Sequence, residues 1–384
     1  MIINEDCFEH IKTMTANSVD HIITDPPYDI GFMNKDWDKK SIVTNPEFWK
    51  ECLRVLKPGG YVLAFSHSRT SHRQTSAIED AGFNIRDTIM WLYGSGFPKS
   101  HNVGKAVDAK NKTGKSNPKA LRQTRMGDDY KPTGQIDYAK GRMFSSDIEN
   151  DTTQQTINNE WQGWGTALKP AYEPIVMARK PLEGTVADNV LKYGTGAINI
   201  DACRIEGEPI QKNIAFKDEQ QADGWGTKKC ITEVTQIGRF PANVILDEEA
   251  GEVLDEQSGI KKASFLRNRT DGARVFGNEG KATNYTSEKI SVEEDDKGAS
   301  RFFYCSKTNK KERGAGNSHP TVKPIALMEY LIKLVSKEGQ TILDPFAGSG
   351  STGIACKNLN RKYILIERDS EYAKIIEARI TNEK

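Results

Sequence analysis

A rigid acidic and aromatic motif, Asp25-Pro26-Pro27-Tyr28, follows a short apolar segment over residues 19–24. Two prolines cannot continue a central strand, so we expect the strand to end there and to hold the Asp25 carboxylate and the Tyr28 ring in fixed positions. A carboxylate and a backbone carbonyl that accept both N–H groups of an exocyclic amine would make its nitrogen more nucleophilic. An aromatic face would hold the ring that carries the amine by stacking. The motif therefore indicates chemistry on the amine of a planar, base-like group.

A glycine-rich turn late in the sequence forms a second motif. The pattern G-x-G-x-x-G places Gly348, Gly350 and Gly353 a few residues after the apolar segment 341–343 and at the start of a helical pattern. In this context the first two glycines allow a tight turn and a close approach of the backbone to a nucleotide-like ligand. Glu367 ends the next apolar segment, where a carboxylate accepts hydrogen bonds from ribose hydroxyls. These residues predict a cofactor site.

Both motifs need a sheet that positions them, and its elements occupy the two ends of the sequence. Short apolar runs alternate there with segments of helical periodicity, which predicts a mostly parallel sheet with helices on both faces. A single strand–helix–strand unit cannot form a domain alone, so strands from the first part must complete the sheet around the glycine-rich turn. The predicted strands are 19–24, 61–65, 85–93, 341–343 and 363–366, and the predicted helices include 48–56, 71–81, 324–336 and 371–380.

The middle of the chain is polar and locally basic. Residues 99–142 contain 11 Lys and Arg against four Asp, although the whole chain has 54 basic and 53 acidic residues and a net charge of +1. A second basic cluster lies within residues 261–281. Small polar residues between the charges are typical of loops that follow phosphates. One apolar segment, 171–178, predicts an edge strand, because Pro174 lacks a backbone donor.

Together the two motifs resemble those of the β-class S-adenosylmethionine-dependent DNA amino-methyltransferases. Asn4-Glu5-Asp6-Cys7 and the segment 319–324, His-Pro-Thr-Val-Lys-Pro, strengthen the resemblance at both ends of the chain. It implies an α/β fold with a doubly wound, mostly parallel, seven-stranded Rossmann-like methyltransferase sheet in permuted strand order. It also implies three regions: a catalytic half of the core over 1–96, an irregular inserted target recognition region over 97–304 with a core strand near 171–178, and a cofactor-binding half over 305–384.

The resemblance also implies roles for individual residues, with no metal. Asp344 would lie near the methionine amino group of the cofactor, Glu367 would hold its ribose and Asp6 its adenine. The catalytic residues would be Asp25, Pro26, Pro27 and Tyr28. The cofactor-binding residues would be Asp6, Cys7, Asp25, Lys323, Asp344, Phe346, Ala347, Gly348, Ser349, Gly350, Glu367 and Arg368. The DNA-binding candidates are Lys99, Arg122, Arg125, Arg267, Arg269 and Arg274.

The expected activity is methylation of the exocyclic N6 of an adenine that is rotated out of duplex DNA. Asp25 as the first residue of its motif favours adenine, because the cytosine-N4 members of the family more often have Ser there. Methylation of cytosine N4 is the first alternative, and methylation of RNA or of a protein glutamine is the second. A nicotinamide-dependent enzyme is a weaker alternative, because the glycine-rich motif comes late in the chain and because the Asp25-Pro26-Pro27-Tyr28 motif is rigid. A non-catalytic DNA-binding module is the weakest alternative.

Composition limits the cellular setting. Six cysteines occur without a C-x-x-C pair, which argues against a zinc site or a disulfide framework. No apolar run approaches the roughly 20 residues that span a bilayer. We therefore expect a protein of the reduced cytoplasm, and the resemblance implies a prokaryotic or phage origin. A homodimer and a cognate restriction endonuclease are further expectations that the resemblance raises.

Overall fold

The computed structural model describes residues 1–30, 42–96, 100–114, 159–205, 210–215, 230–236, 238–259, 298–306 and 322–382. The chain divides into two compact units. The core unit comprises Met1–Gly94 with Tyr172–Lys384, and the insert unit comprises Ser95–Ala171. Two separated parts of the sequence therefore build one core.

Nine strands of the described residues form a single sheet in the order β1-β11-β10-β2-β3-β5-β4-β8-β9. A separate antiparallel hairpin pairs β6 with β7. The strands are β1 Ile2–Ile3, β2 His21–Thr24, β3 Tyr61–Phe65, β4 Asn84–Leu92, β5 Tyr172–Arg179, β6 Ile210–Ala215, β7 Cys230–Gln236, β8 Val244–Asp247, β9 Tyr304–Ser306, β10 Thr341–Asp344 and β11 Lys362–Ile366.

The described helices alternate with these strands. They are α1 Cys7–Thr13, α2 Pro46–Val55, α3 Ser71–Asp80, α4 Val103–Thr113, α5 Val186–Tyr193, α6 Glu248–Ser258, α7 Ile325–Val335, α8 Ser351–Asn358 and α9 Ser370–Asn382. Local sequence explains where α2 begins: Pro46 occupies the first turn, and the Asn45 side chain accepts a hydrogen bond from the backbone N–H of Glu47 at 3.0 Å. Among the described residues, none of the helices combines the length and the apolar character that a membrane span requires.

The predicted fold class is confirmed, with a larger sheet than expected. Within the nine-stranded sheet, neighbouring strands are parallel except at β5, which runs antiparallel to both β3 and β4. The permuted order is visible where β2, from the start of the chain, pairs with β10, from its end. The expected number of seven strands was wrong, because β8 and β9 extend the sheet beyond β4.

The predicted strand near 171–178 is β5, and its expected place at the edge was wrong. It lies between β3 and β4. Phe65, the last residue of β3, pairs with Ile175, so Pro174 lies just beyond the end of β3. The carbonyl of Pro174 still accepts a hydrogen bond from the backbone N–H of Ser66 at 2.9 Å. The N–H group that Pro174 lacks would therefore face a position beyond Phe65 and Ile175, the last residue pair of β3 and β5. For this reason Pro174 costs few sheet hydrogen bonds even though β5 lies inside the sheet.

Each face of the sheet is covered by helices, as predicted for a doubly wound fold. Tyr61, Leu63 and Phe65 of β3 pack into a cluster that includes the buried sides of α7, α8 and α9. Val62 and Ala64 point to the opposite face and pack with α1, α2 and α3. Successive strand residues alternate between faces, so a strand buried on both faces must be continuously apolar.

The functional division at residues 97 and 305 remains a prediction. Several elements between these positions, among them α5, β8 and α6, belong to the core unit, whereas the insert unit ends at Ala171. Part of the region that sequence assigns to target recognition therefore completes the core.

Candidate active site

A buried hydrogen bond joins the ends of β2 and β10. Thr24 Oγ1 donates to Asp344 Oδ1 at 2.6 Å, although the two residues are 320 positions apart in the sequence. Because β2 and β10 are neighbouring parallel strands, the residues that follow them meet at the same carboxyl edge of the sheet. The acidic and aromatic motif and the glycine-rich turn thus lie side by side.

Asp344 is buried and almost fully engaged by the protein itself. Its second oxygen accepts from Thr352 Oγ1 at 2.5 Å, and its first also accepts from the backbone N–H of Phe346 at 3.1 Å. Burial raises the pKa of the Asp344 carboxyl to about 6, against the opposing effect of the bonds from Thr24 and Thr352. Its expected role beside the cofactor amino group remains a prediction.

The raised pKa of Asp344 predicts a pH-dependent stability. Between its ordinary value of 3.8 and its folded value of about 6, the folded protein binds this proton more tightly than the unfolded chain. The contribution of Asp344 to the free energy of unfolding should therefore fall as pH rises from about 4 to about 6. Urea titrations at several pH values should show that Asp344→Asn removes this slope. An identical pH dependence in both proteins would contradict the assignment.

The glycine-rich turn adopts a conformation that requires its glycines. Gly348 and Gly350 have φ angles of +55° and +85°. The N–H of Ala347 donates to the carbonyl of Ile366 at 3.0 Å, and the N–H of Gly350 donates to the carbonyl of Ala347 at 2.8 Å. The first bond joins the turn to the end of β11 and the second closes the turn itself, and the helix α8 begins at the residue after Gly350.

Glu367 lies against this turn. One carboxylate oxygen accepts from the N–H of Gly348 at 2.8 Å, and the other accepts from the N–H of Asp369 at 2.8 Å. Burial raises the pKa of the Glu367 carboxyl. Each oxygen has a second lone pair that can accept a bond from a ligand hydroxyl.

The predicted N-terminal cofactor residues lie near Glu367 in the fold. Asp6 caps α1, where one oxygen accepts from the N–H groups of Phe8 and Glu9 at 3.0 and 3.3 Å. Asn4 Nδ2 donates to the carbonyls of Glu367 and Arg368 at 2.8 and 3.1 Å, which places this segment beside the end of β11.

The remaining predicted cofactor residues differ in exposure. Cys7 and Ala347 are buried, whereas Arg368 is exposed. Ser349 is held by Arg379, whose guanidinium donates to its carbonyl at 2.6 Å and to its hydroxyl at 3.0 Å. Phe346 is half-buried and packs against Phe48, with ring centroids 5.5 Å apart. Whether these residues contact a cofactor remains a prediction.

Asp25, Tyr28, Lys323 and Glu173 form one charged cluster. Tyr28 Oη donates to Asp25 Oδ1 at 2.7 Å, and Lys323 Nζ donates to Asp25 Oδ2 at 2.6 Å. The Lys323 amine also lies 3.2 Å from Glu173, and the expected cofactor contact of Lys323 remains a prediction. Tyr28 Oη also lies 3.0 Å from Glu173 Oε2. Two carboxylates therefore share one ammonium and one phenol.

The two carboxylates of the cluster raise the pKa values of both Lys323 and Tyr28. Burial by itself would lower the pKa of the Lys323 amine, but Asp25 and Glu173 outweigh it and raise that pKa. Burial, Asp25 and Glu173 all raise the pKa of the Tyr28 phenol. Lys323 is thus a cation and Tyr28 a neutral donor near neutral pH, which leaves the cluster with a net negative charge.

Aromatic side chains surround the cluster. The ring of Tyr28 lies 6.2 Å from that of His67, and Phe65 and Trp91 meet edge to face at 6.5 Å. Lys323 Nζ lies 4.9 Å from the centre of the Phe65 ring, within the range of a cation–π contact. Such a wall can hold a flat, uncharged ring beside a charged acceptor.

The residues at the glycine-rich turn fit the cofactor that the resemblance implies. The Oγ of Ser351, at the start of α8, is buried and has no hydrogen-bond partner in the part of the chain that the structure describes. A Cβ on Gly350 would lie 2.9 Å from Ile376, so the turn leaves no room for a side chain. An unpaired hydroxyl, a carboxylate and a bare backbone suit a ligand with a ribose and an amino acid moiety.

The candidates for DNA contact are not placed. Lys99, Arg122, Arg125, Arg267, Arg269 and Arg274 all lie outside the described residues. Among the described residues, no group of three or more His, Cys, Asp or Glu side chains is arranged to hold a metal ion.

Glu173 is the site residue that the sequence analysis did not single out. It lies at the start of β5, opposite Trp91 of β4. Because β5 runs antiparallel to β3, its first residues reach the edge where β2 and β3 end. In the sequence, Glu173 is simply an acidic residue at the start of an apolar segment. Whether it reaches the site depends on the direction in which that strand runs in the sheet.

Comparison with known proteins gives a consistent result. A family model described as DNA methylase, covering N6 and N4 methyltransferases, matches residues 19–378. The type II methyltransferase M.HindIII of Haemophilus influenzae is 24% identical over 427 aligned positions, which cover 100% of this chain and 96% of that protein. The type II methyltransferase M2.DpnII of Streptococcus pneumoniae is 42% identical over 107 residues, which cover 28% of this chain and 40% of the relative.

Two solved structures align over most of this chain. The complex of M1.HpyAVI with SAM has a TM-score of 0.42 and 17% identity, and the alignment covers 99% of this chain and 98% of that one. The PvuII DNA methyltransferase, described as cytosine-N4-specific, has a TM-score of 0.45 and 12% identity, with 100% and 86% covered.

Proposed function

Because the chain belongs to the DNA methylase family of N6 and N4 methyltransferases, we propose that it methylates the exocyclic N6 of adenine in duplex DNA. The observation that carries the proposal is the Asp25 carboxylate, which Tyr28 and Lys323 orient at 2.7 and 2.6 Å. The bond from Thr24 to Asp344 brings this carboxylate beside the glycine-rich turn. The target amine can therefore be activated at Asp25 while the cofactor is bound at the neighbouring glycine-rich turn.

The cofactor of this reaction is S-adenosylmethionine, which supplies a methyl group on a positively charged sulfur. Glu367 would hold the ribose hydroxyls with the lone pairs that Gly348 and Asp369 leave open. The turn around Gly350 would let the backbone approach the ligand closely. Because the methyl group is already electrophilic, the main task of the protein is to orient the amine.

Asp25 and Tyr28 act on the target base. Asp25 accepts an N–H of the exocyclic amine, which concentrates the lone pair on nitrogen, and Tyr28 provides an aromatic face for stacking. The base reaches this site only after rotation out of the duplex, which costs a few kcal/mol and is offset by binding of the flanking DNA. After transfer, the nitrogen releases a proton to Asp25 or to water.

The basic clusters between residues 97 and 304 are the proposed contacts to DNA. Lys and Arg there would neutralise phosphates, and Arg267 and Arg269 would read guanine edges. A homodimer and a partner restriction endonuclease are compatible with this arrangement and belong to the same proposal.

Mass spectrometry of nucleosides tests the proposed function. Duplex DNA is incubated with the protein and S-adenosylmethionine that carries an isotopically labelled methyl group. We expect labelled N6-methyladenine, and far less of it in the same time with an Asp25→Asn variant. Labelled N4-methylcytosine alone would replace adenine by cytosine as the target, and incorporation into RNA but not duplex DNA would overturn the substrate class.

A further inference from the structure

Glu173 enters the charged cluster from the middle of the chain, outside both motifs. Its Oε2 lies 3.0 Å from Tyr28 Oη and 3.2 Å from Lys323 Nζ. Its side chain is 19% exposed, close to the 20% of Asp25, whereas that of Lys323 is 8% exposed. A nearly buried ammonium thus has two carboxylate partners of similar exposure.

We propose that Glu173 is a positioning residue for methyl transfer, whose negative charge holds Lys323 and Tyr28 so that Asp25 remains a strong acceptor for the target amine. The inference rests on the proposed function and adds a residue to it. Glu173 itself does not contact the substrate. It acts through Lys323 and Tyr28, which bond to both oxygens of Asp25.

Lys323 divides its interactions between two carboxylates. An ammonium with a single carboxylate partner would concentrate its charge and its hydrogen bonds on that partner. Glu173 draws part of this interaction away from Asp25, at a distance of 3.2 Å against 2.6 Å. Asp25 therefore keeps more of its capacity to accept an N–H from the target.

Glu173 also sets the net charge of the cluster. Asp25 and Glu173 contribute two negative charges and Lys323 one positive charge, while Tyr28 is neutral. During transfer, the target nitrogen forms a bond to the methyl carbon as the carbon–sulfur bond breaks and sulfur keeps the electron pair. The nitrogen then carries positive charge until it releases a proton to Asp25 or to water. A net negative cluster beside it stabilises that charge, and a neutral one does so less.

Two substitutions separate a role of charge from a role of shape. Glu173→Gln keeps the length of the side chain and an acceptor oxygen but removes the charge. Glu173→Asp keeps the charge and shortens the side chain by one methylene. If the charge of Glu173 matters, Glu173→Asp should lower the rate less than Glu173→Gln. If the side chain only fills space, Glu173→Gln should lower the rate less.

We expect Glu173→Gln to lower the single-turnover rate on duplex DNA by about 100-fold, as for a small misplacement of a reacting group. Glu173→Asp should retain most of the rate that Gln loses. The dissociation constant for S-adenosylmethionine, measured by calorimetry, and the midpoint of thermal unfolding should change little in both variants. The effect should therefore appear in kcat rather than in KM.

Glu183 offers a matched control in the same unit. It is an exposed glutamate that also binds a lysine and a tyrosine, with Lys192 Nζ at 2.8 Å and Tyr193 Oη at 2.5 Å. Glu183→Gln removes the same charge from a similar hydrogen-bond pattern. The partners of Glu183, Lys192 and Tyr193, are not members of the charged cluster around Asp25. Its rate should equal that of the wild type.

Full activity of Glu173→Gln, or a slower Glu173→Asp than Glu173→Gln, would overturn the proposal. Failure of the proposed function is a separate result, because it appears in the wild type as methylation of another acceptor. The same series is then measured on that acceptor, and the order of the Gln and Asp variants still decides the role of Glu173.

Discussion

Asp25→Asn is expected to lower the rate of methyl transfer by about 10³-fold, the upper range for loss of one preorganised electrostatic group. The amide keeps the size of the side chain, but its NH2 group cannot accept a hydrogen bond and carries no charge. One of the two donors that now reach Asp25, Lys323 at 2.6 Å or Tyr28 at 2.7 Å, would then face another donor. Single-turnover methylation of duplex DNA measures the loss.

Asp80→Asn is the control for this substitution, because Asp80 lies exposed at the end of α3 and should tolerate the change. Binding of S-adenosylmethionine to Asp25→Asn should remain measurable by calorimetry, since the glycine-rich turn and Glu367 are unchanged. Turnover at the wild-type rate would refute the catalytic assignment of Asp25.

Gly350→Ala is expected to weaken binding of S-adenosylmethionine and to lower the rate, each by about 100-fold. Gly350 has a φ of +85°, which costs an alanine roughly 1–2 kcal/mol. Its new Cβ would also lie 2.9 Å from the Ile376 side chain, so either the turn or that side chain of α9 must move. Because the N–H of Gly348 holds Glu367 at 2.8 Å, a shift of the turn also displaces the proposed ribose acceptor.

Gly339→Ala separates these two effects. Gly339 has a φ of +77°, but a Cβ there would meet no atom within 4 Å. Both variants should lose thermal stability from the strained φ, whereas only Gly350→Ala should lose affinity in calorimetry. Equal affinities in the two variants would show that the turn does not hold the cofactor.

Most of the roles predicted for individual site residues came from the resemblance of the chain to a known family. The ends of strands and the turns were predicted from local sequence alone, because they depend on neighbouring residues. Two prolines end β2 at Thr24, and the glycines of the late turn adopt the positive φ angles that favour glycine. The continuous apolar run of β3 indicated a strand buried on both faces, which the packing of its alternate residues confirms.

Other features depend on pairings between distant residues. The sequence did not show that Pro174 would lie inside the sheet, because that depends on where β3 ends opposite β5. It did not show the number of strands, because β8 and β9 lie in a region whose composition resembles loops.

The sequence by itself determined the fold class, the permuted order and the two motifs, because each follows from short-range periodicity, from turn residues or from their order. Only the tertiary structure decided that Lys323 binds Asp25 and that Glu173 joins them. The direction of β5 brings Glu173 to the carboxyl edge of the parallel strands, and strand direction results from long-range pairing. Burying the Lys323 ammonium without a carboxylate partner would cost several kcal/mol, so the native pairing that brings Asp25 and Glu173 to it is favoured over alternatives that leave it unpaired.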